Sequence, residues 1–121
     1  MVKQGKVAGQ VLGTTEIQVE NITSTANQGA TIDFKKYGHV ICGYVGGADS
    51  SWSIGSSWVS LGSIDSNCAP SSNIIIPATC SSSSNTLPQI QVSSSGAVSV
   101  RANGSATGLG GWYSGYFTYI K

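Results

Sequence analysis

Residues 96–121 contain two runs in which apolar and polar side chains alternate, one at residues 97–101 and one at residues 113–120. A segment rich in Gly, Asn and Ser lies between the two runs. Alternation with Val, Tyr, Phe and Thr predicts strands, and the segment between them is typical of a loop. Because two strands are not stable in water by themselves, the rest of the chain must supply the sheets on which they pack.

Runs of strand length recur along the whole chain, separated by residues that are typical of turns. We predict further strands at residues 6–12, 15–23, 31–34, 38–46, 58–64, 73–80 and 87–93. No window repeats its apolar residues at the helical spacing, and Gly or β-branched residues interrupt each one. Roughly nine short strands with turns between them predict an all-β fold, an antiparallel β-sandwich or jelly roll. The length of residues 1–121 suits a single domain.

Three of these runs carry specific expectations. In residues 15–23 the alternation predicts that Ile17 and Val19 share a buried face, opposite the polar residues between them. Residues 38–46 are apolar on both faces, which favours a central strand with His39 inside it. Pro77 cannot donate a hydrogen bond to a neighbouring strand, so residues 73–80 should form a buried strand that lies at an edge or contains a bulge.

The chain is poor in charge, with 9% charged residues and a net charge of +1. Without a basic stripe, we expect no binding to nucleic acid or to an anionic membrane surface. No apolar run approaches the roughly 18 residues of a membrane-spanning helix, so no membrane insertion is expected. The N-terminal residues are not followed by the apolar segment of a secretory signal. The abundant Ser, Thr, Asn and Gly predict a neutral, hydroxyl-rich surface.

Metal-binding residues are few and separated. The cysteines are Cys42, Cys68 and Cys80, and none of them belongs to a CxxC pair. Three separated cysteines and one histidine do not make a zinc site, so we expect no metal. Cys68 and Cys80 could meet across neighbouring strands, although three reduced thiols are the favoured interpretation.

Catalytic groups are also sparse. His39 is the one histidine of the chain, and a packed or interface histidine is favoured there over the base of a nucleophile. Glu16 and Glu20 share a strand face, but four residues of extended chain place them roughly 13 Å apart, beyond the spacing of glycosidase carboxylates. We therefore expect no enzymatic activity and no cofactor.

Aromatic residues beside Gly- and Ser-rich segments indicate binding instead. These residues are Trp52, Trp58, Trp112, Tyr113 and Tyr116. A ring next to hydroxyl and amide groups suits a neutral saccharide, which stacks its C–H face on the ring. Trp52, shortly after Asp49, is the best candidate for an exposed ring. A core position is favoured for Trp58, and core and surface positions are equally open for Trp112.

Seven short motifs follow one another along the chain: FKKYGHV (34–40), WVSLG (58–62), CAP (68–70), IIIPA (74–78), IQV (90–92), SGAV (95–98) and GWYSGY (111–116). In their order these motifs resemble the C-terminal heads of phage tail-fibre and receptor-binding proteins. They extend over residues 30–120 and are similar to the heads of siphophages that infect Gram-positive bacteria, such as lactococcal phages. Residues 1–29 do not match the shoulder or neck that precedes such heads. They form either an accessory N-terminal β segment or the stub of a longer fibre.

The resemblance implies a homotrimeric, jelly-roll-like β-sandwich head at the tip of a tail fibre or baseplate. Such heads bind host cell-wall saccharide without hydrolysing it and without a cofactor, and they contact other tail or baseplate proteins. They assemble in the host cytoplasm and belong to the virion at the tail tip. The expected ligand-binding residues are Asp49, Trp52, Trp112, Tyr113, His39 and Arg101. Of these, His39 and Arg101 would donate hydrogen bonds at a subunit boundary.

Two other functions fit the same sequence. The first is a purely structural fibre or baseplate domain that forms trimers and binds no ligand. The second is a carbohydrate-binding module that is unrelated to phages. The mass of the protein in solution separates a trimer from a monomeric module, and binding to a host cell wall separates a receptor-binding head from a structural domain.

Overall fold

The computed structural model describes residues 17–48, 54–81, 87–103 and 111–121. The strands within these ranges are β1 (Val19–Asn21), β2 (Ser24–Ala26), β3 (Thr31–Tyr37), β4 (Val40–Ala48), β5 (Val59–Ile64), β6 (Ile74–Pro77), β7 (Thr79–Cys80), β8 (Leu87–Val92), β9 (Ala97–Asn103) and β10 (Trp112–Ile120). A single 3-10 turn, Ser66–Cys68, is the one helical element in these ranges. The strand predicted at residues 6–12 lies outside the described residues.

The strands form two five-stranded sheets. Sheet I has the order β2-β5-β9-β8-β6, and sheet II has the order β1-β3-β4-β10-β7. Neighbouring strands are antiparallel in both sheets. The prediction of an all-β, antiparallel fold is therefore confirmed. The strand β4 lies at the centre of sheet II, as its two apolar faces predicted.

One hydrophobic core lies between the sheets, because both contribute side chains to the same buried cluster. In sheet II the rings of Phe34 and Phe117 lie 6.0 Å apart between centroids. Sheet I contributes Leu61, Ile90 and Val100, each of which is fully buried. Burial of each such side chain contributes roughly 1.5–3 kcal/mol. The result is a β-sandwich-like arrangement.

The chain crosses from sheet I to sheet II close to Pro77. β6 ends at Pro77 on the edge of sheet I, and β7 begins two residues later in sheet II. The amide of Ala78, between the two strands, donates to the carbonyl of Pro88 at 2.9 Å. The edge position predicted from Pro77 is confirmed. The buried strand predicted there is wrong, because β6 and β7 are half-buried or exposed along their length.

The apolar side chains before and within β1 face solvent, not the core. Ile17 is 67% exposed and Val19 is 57% exposed. Val19 pairs with Tyr37 on the outer face of sheet II, while Ile22, just after the strand, is buried. Alternation identifies two faces but does not say which of them meets the core. At the edge of this sheet the prediction of a buried Ile17 and Val19 is wrong.

Tight turns occur where the backbone has a positive φ. Gln28 (φ 56) and Gly29 (φ 68) form the turn after β2, and Gly96 (φ 94) lies in the hairpin between β8 and β9. Gly38 (φ 64) and His39 form a two-residue turn between β3 and β4. His39 is therefore in a turn and not inside a strand.

Tyr119 joins β10 to the 3-10 turn. Its hydroxyl donates to the carbonyl oxygen of Cys68 at 2.6 Å, and its ring belongs to the core. Burial, and secondarily the charge of the Cys68 thiolate, raise the pKa of Tyr119 to about 12. No disulfide involves Cys42, Cys68 or Cys80.

We expect the free energy of unfolding to fall as the pH rises above about 10. An unfolded tyrosine ionises near about 10, whereas folded Tyr119 keeps its proton until the pH approaches about 12. Its contribution is therefore fully present below the unfolded pKa and is lost as the pH rises through the folded pKa. Urea unfolding between about pH 8 and about pH 12 measures this loss. Tyr119→Phe should flatten the dependence, and an unchanged slope in that variant would contradict the assignment.

Candidate functional site

Trp112 is a predicted site residue whose side chain is half exposed at the surface. It begins β10, pairs with Ala48 at the end of β4, and is 49% exposed. Two hydrogen bonds to Ser81 hold its backbone: the Trp112 amide donates to Ser81 Oγ at 3.0 Å, and the Ser81 amide donates to the Trp112 carbonyl at 3.0 Å. The backbone that carries this half-exposed indole is thus held by Ser81. Asp49 and Trp52 lie outside the described residues.

Tyr113 does not face a ligand. Its side chain is 1% exposed and belongs to the core. The alternation along β10 puts residues 113, 117 and 119 inside and residues 112, 116 and 120 outside. Opposite Tyr113 stands Gly47, where a Cβ atom would come within 2.6 Å of the Tyr113 hydroxyl oxygen. The expectation that Tyr113 binds a ligand is therefore wrong, and its role is to pack the core.

His39 lies far from Trp112. Val40 pairs with Ile120 at one end of the β4–β10 ladder, and Ala48 pairs with Trp112 at the other. The length of β4 separates the two, roughly 26 Å at about 3.3 Å per residue. His39 is exposed, and its Nδ1 lies 3.2 Å from the carbonyl oxygen of Lys121. Within one chain His39 and Trp112 cannot belong to the same ligand site.

Arg101 lies on the outer face of sheet I and contacts a residue that was expected in the core. Its guanidinium carbon lies 4.4 Å from the ring centroid of Trp58, a cation–π contact. Its Nε donates to Oε1 of Gln89 at 2.9 Å. Trp58 is half-buried and is not part of the buried cluster, so the core position favoured for it is wrong. Trp58 was considered as a binding aromatic but assigned to the core, and Gln89 is a candidate that the sequence did not single out.

Trp112 and the Arg101 cluster lie at the same end of the domain. Gln89 pairs with both Arg101 and Pro77 in sheet I. Three residues after Pro77, Cys80 pairs with Tyr113 in sheet II. The segment in which the chain crosses from sheet I to sheet II thus connects the surface around Arg101 to the surface around Trp112 within a few residues. Trp112 faces outward from sheet II and Arg101 faces outward from sheet I, so the two form separate surfaces.

Two open depressions lie elsewhere. One of about 330 Å³ is lined by Thr23, Ser24, Thr25, Ser63, Ile64 and Asp65. Another of about 190 Å³, on the outer face of sheet II, is lined by Asp33, Lys35, Tyr37, Cys42, Gly43, Tyr44 and Tyr116. Of the predicted ligand-binding residues that the structure describes, His39, Arg101, Trp112 and Tyr113, none lines either depression.

Electrostatic features are few in the described ranges. Lys35 Nζ lies 3.0 Å from Asp33 Oδ1 on the outer face of sheet II, where both groups are largely solvated. No group of three or more His, Cys, Asp and Glu side chains among the described residues is arranged to hold a metal ion. No helix in the same ranges is long and apolar enough to cross a membrane.

The fold and these surfaces define an all-β domain of two antiparallel sheets with an exposed indole at one end and a stacked Arg–Trp pair beside it. No protein-family model matches the chain, and no curated protein matches its sequence. The function must therefore be argued from the residues themselves.

Proposed function

We propose that this protein is the receptor-binding head of a phage tail fibre or baseplate, which attaches to host cell-wall saccharide without hydrolysing it. The half-exposed ring of Trp112, on a backbone that is hydrogen-bonded to Ser81, carries the proposal. A saccharide stacks its C–H face on such a ring and forms hydrogen bonds with neighbouring hydroxyl and backbone groups. The predicted site segment around Asp49 and Trp52 follows directly after Ala48, which pairs with Trp112.

The proposal includes a homotrimer, and the outer face of sheet II supports it. This face carries exposed apolar side chains, with Tyr116 at 75% and Ile120 at 73% exposure. The rings of Tyr116 and Tyr44 lie 5.1 Å apart on it. Exposed large apolar side chains on one sheet face are typical of a surface buried between subunits. Three heads that bind together would turn a weak single site into firm adhesion.

Trp112→Ala is expected to weaken binding to purified host cell-wall polysaccharide by about 1–3 kcal/mol per site, which is the range for an aromatic anchor. Trp112→Tyr keeps an aromatic face at the same position and serves as the matched variant, with most of the binding retained. The affinity is measured as binding of the intact protein to surface-immobilised polysaccharide, and sedimentation gives the mass of the protein in solution. Both variants should remain trimers, because Trp112 is remote from Ile120 on the same strand.

The outcomes separate the competing functions. Equal binding by Trp112→Ala and the wild type would contradict this site. A trimer that binds no host cell wall would favour a structural fibre or baseplate domain, for which the apolar face of sheet II is sufficient. A monomer that binds saccharide would favour a carbohydrate-binding module unrelated to phages. Release of new reducing ends from the polysaccharide would contradict attachment without hydrolysis.

A further inference from the structure

The outer face of sheet I carries two neighbouring rows of side chains that run across its strands. In one row Arg101 pairs with Gln89, and Trp58 contacts Arg101 from the other side. The second row lies two residues away from Arg101 along β9. In this row Ser99 pairs with both Ser60 and Gln91. Neighbouring strands lie about 4.8 Å apart, so each row extends roughly 10 Å across β5, β9 and β8. The face is flat and partly exposed, and it carries hydroxyl, amide and guanidinium groups.

The guanidinium of Arg101 is held in one orientation by two contacts. Nε donates to Gln89 at 2.9 Å, and Cζ lies over the Trp58 ring, 4.4 Å from its centroid. A guanidinium has five N–H donors in a planar fork, so the Gln89 contact leaves the terminal nitrogens able to donate outward. Because the side chain is already ordered, little conformational freedom is lost when a ligand binds.

No carboxylate among the described residues neutralises Arg101. The ion pair found in these ranges joins Lys35 and Asp33 on the opposite sheet. A guanidinium that no described carboxylate neutralises pairs well with a planar or tetrahedral oxoanion, through two parallel N–H···O bonds. A contact that joins β8 to β9 does not require an arginine at residue 101, since a neutral side chain there could also form a hydrogen bond with Gln89. The positive charge of Arg101 therefore indicates a ligand group that carries a negative charge.

We propose that this face is a second binding site, for an acidic saccharide whose carboxylate or phosphate pairs with Arg101. The sugar hydroxyls then lie over the row formed by Ser60, Ser99 and Gln91, where hydroxyl and amide groups both donate and accept. The half-exposed ring of Trp58 borders the sugar. The saccharide part of this inference rests on the proposed function, whereas the anion part rests on the geometry of Arg101 alone.

The test uses the full chain, isotope-labelled, with four probes: glucose, glucuronate, glucose 6-phosphate and inorganic phosphate. The readouts are the NMR shifts of the Trp58 indole N–H and the Arg101 Nε–H during titration. We expect glucuronate or glucose 6-phosphate, or both, to shift the two signals. Their affinity should exceed that of glucose by about tenfold or more, because hydrogen bonds to a charged group are stronger than those between neutral groups. Which acidic probe binds more tightly identifies the oxoanion. The preference should shrink as salt is raised.

Variants distinguish a ligand site from a contact that only holds the strands together. Arg101→Gln should lower the affinity for the acidic probes to that for glucose. Arg101→Lys keeps the positive charge but should lose most of the preference for acidic probes, because lysine lacks the planar pair of donors of a guanidinium. Lys36→Gln removes one positive charge from sheet II and serves as the control, with the preference unchanged. Equal shifts from glucose and the acidic sugars, or a preference that survives in Arg101→Gln, would overturn the proposal. Inorganic phosphate binding as tightly as glucose 6-phosphate would overturn its saccharide part.

Failure here is distinguishable from failure of the proposed function. Trp112→Ala should retain the shifts of Trp58 and Arg101, because the two surfaces face outward from different sheets. If the acidic probes leave Arg101 unmoved while Trp112→Ala still loses cell-wall binding, the inference is wrong and the receptor-binding proposal stands. If the probes move Arg101 while Trp112→Ala binds cell wall normally, the assignment of the site to Trp112 is wrong.

Discussion

Gly62→Ala is expected to lower the free energy of unfolding by about 3–5 kcal/mol, a range reached only by severe single substitutions. Gly62 lies between two partners in sheet I, Val98 on β9 and Ala26 on β2. Its φ of 134° is a conformation that residues with a Cβ rarely adopt. A Cβ there would overlap the carbonyl oxygen of Thr25 and lie 2.8 Å from its carbonyl carbon. Both groups are backbone, so relief requires β2 to move away from β5.

Gly55→Ala is the matched control for this prediction. A Cβ at Gly55 meets no atom within 4 Å, and its φ is not in the positive range. A glycine of this kind gains about 0.4–1 kcal/mol of stability on replacement by alanine, through the unfolded state. Urea unfolding of the two variants measures the contrast. If Gly62→Ala were as stable as Gly55→Ala, the close approach of β2 to β5 would have to be abandoned.

Phe34→Ala is expected to cost about 3–5 kcal/mol, the range for a large aromatic side chain removed from a core. The ring is 1% exposed and packs against Phe117. It also covers the backbone of Gly43, its partner on β4, so closely that a Cβ at Gly43 would overlap three ring atoms. Gly43→Ala should therefore destabilise the fold by about 1–3 kcal/mol, the typical cost of overpacking.

The combined variant tests whether ring and glycine act as a unit. With the ring removed, a methyl group at residue 43 has room, so Phe34→Ala with Gly43→Ala should cost clearly less than the sum of the two. Phe34→Ala combined with Gly55→Ala should be additive and serves as the reference pair. Urea unfolding of the single and double variants supplies each free energy. Additivity between residues 34 and 43 would show that the ring does not fill the space above the glycine.

The fold class could be predicted because strand alternation is a local property of the sequence. Residues 113–120 alternate between core and surface as their side chains predicted, and Pro77 marked the edge of a sheet. The orientation of a face is not local, since it depends on which strands pair and which sheet lies opposite. For that reason Ile17 and Val19 were assigned to the core, although they lie exposed beside β3.

The candidate site was predicted in part. For Trp112 core and surface positions were equally open, and the structure leaves its side chain half exposed at the start of β10. The argument from the adjacent Gly-rich segment was also extended to Tyr113, whose side chain must point the opposite way. For Trp58 a usable signal was present. Val59 and Leu61 lie on one side of the strand and Trp58 and Ser60 on the other, which puts the indole on the polar face. Its contact with Arg101 depends on the pairing of β5 with β9 and could not be read from either segment alone.

The position of β10 determines when the domain can be complete. This strand lies between β4 and β7, and its partners on β4 are in the first half of the chain. During synthesis β4 therefore has an open edge, with unpaired backbone donors and acceptors, until β10 has left the ribosome. Contacts between such distant segments slow folding, and an open apolar edge is a template for aggregation in the meantime. Sheet II is thus vulnerable to aggregation for as long as β10 is missing from it.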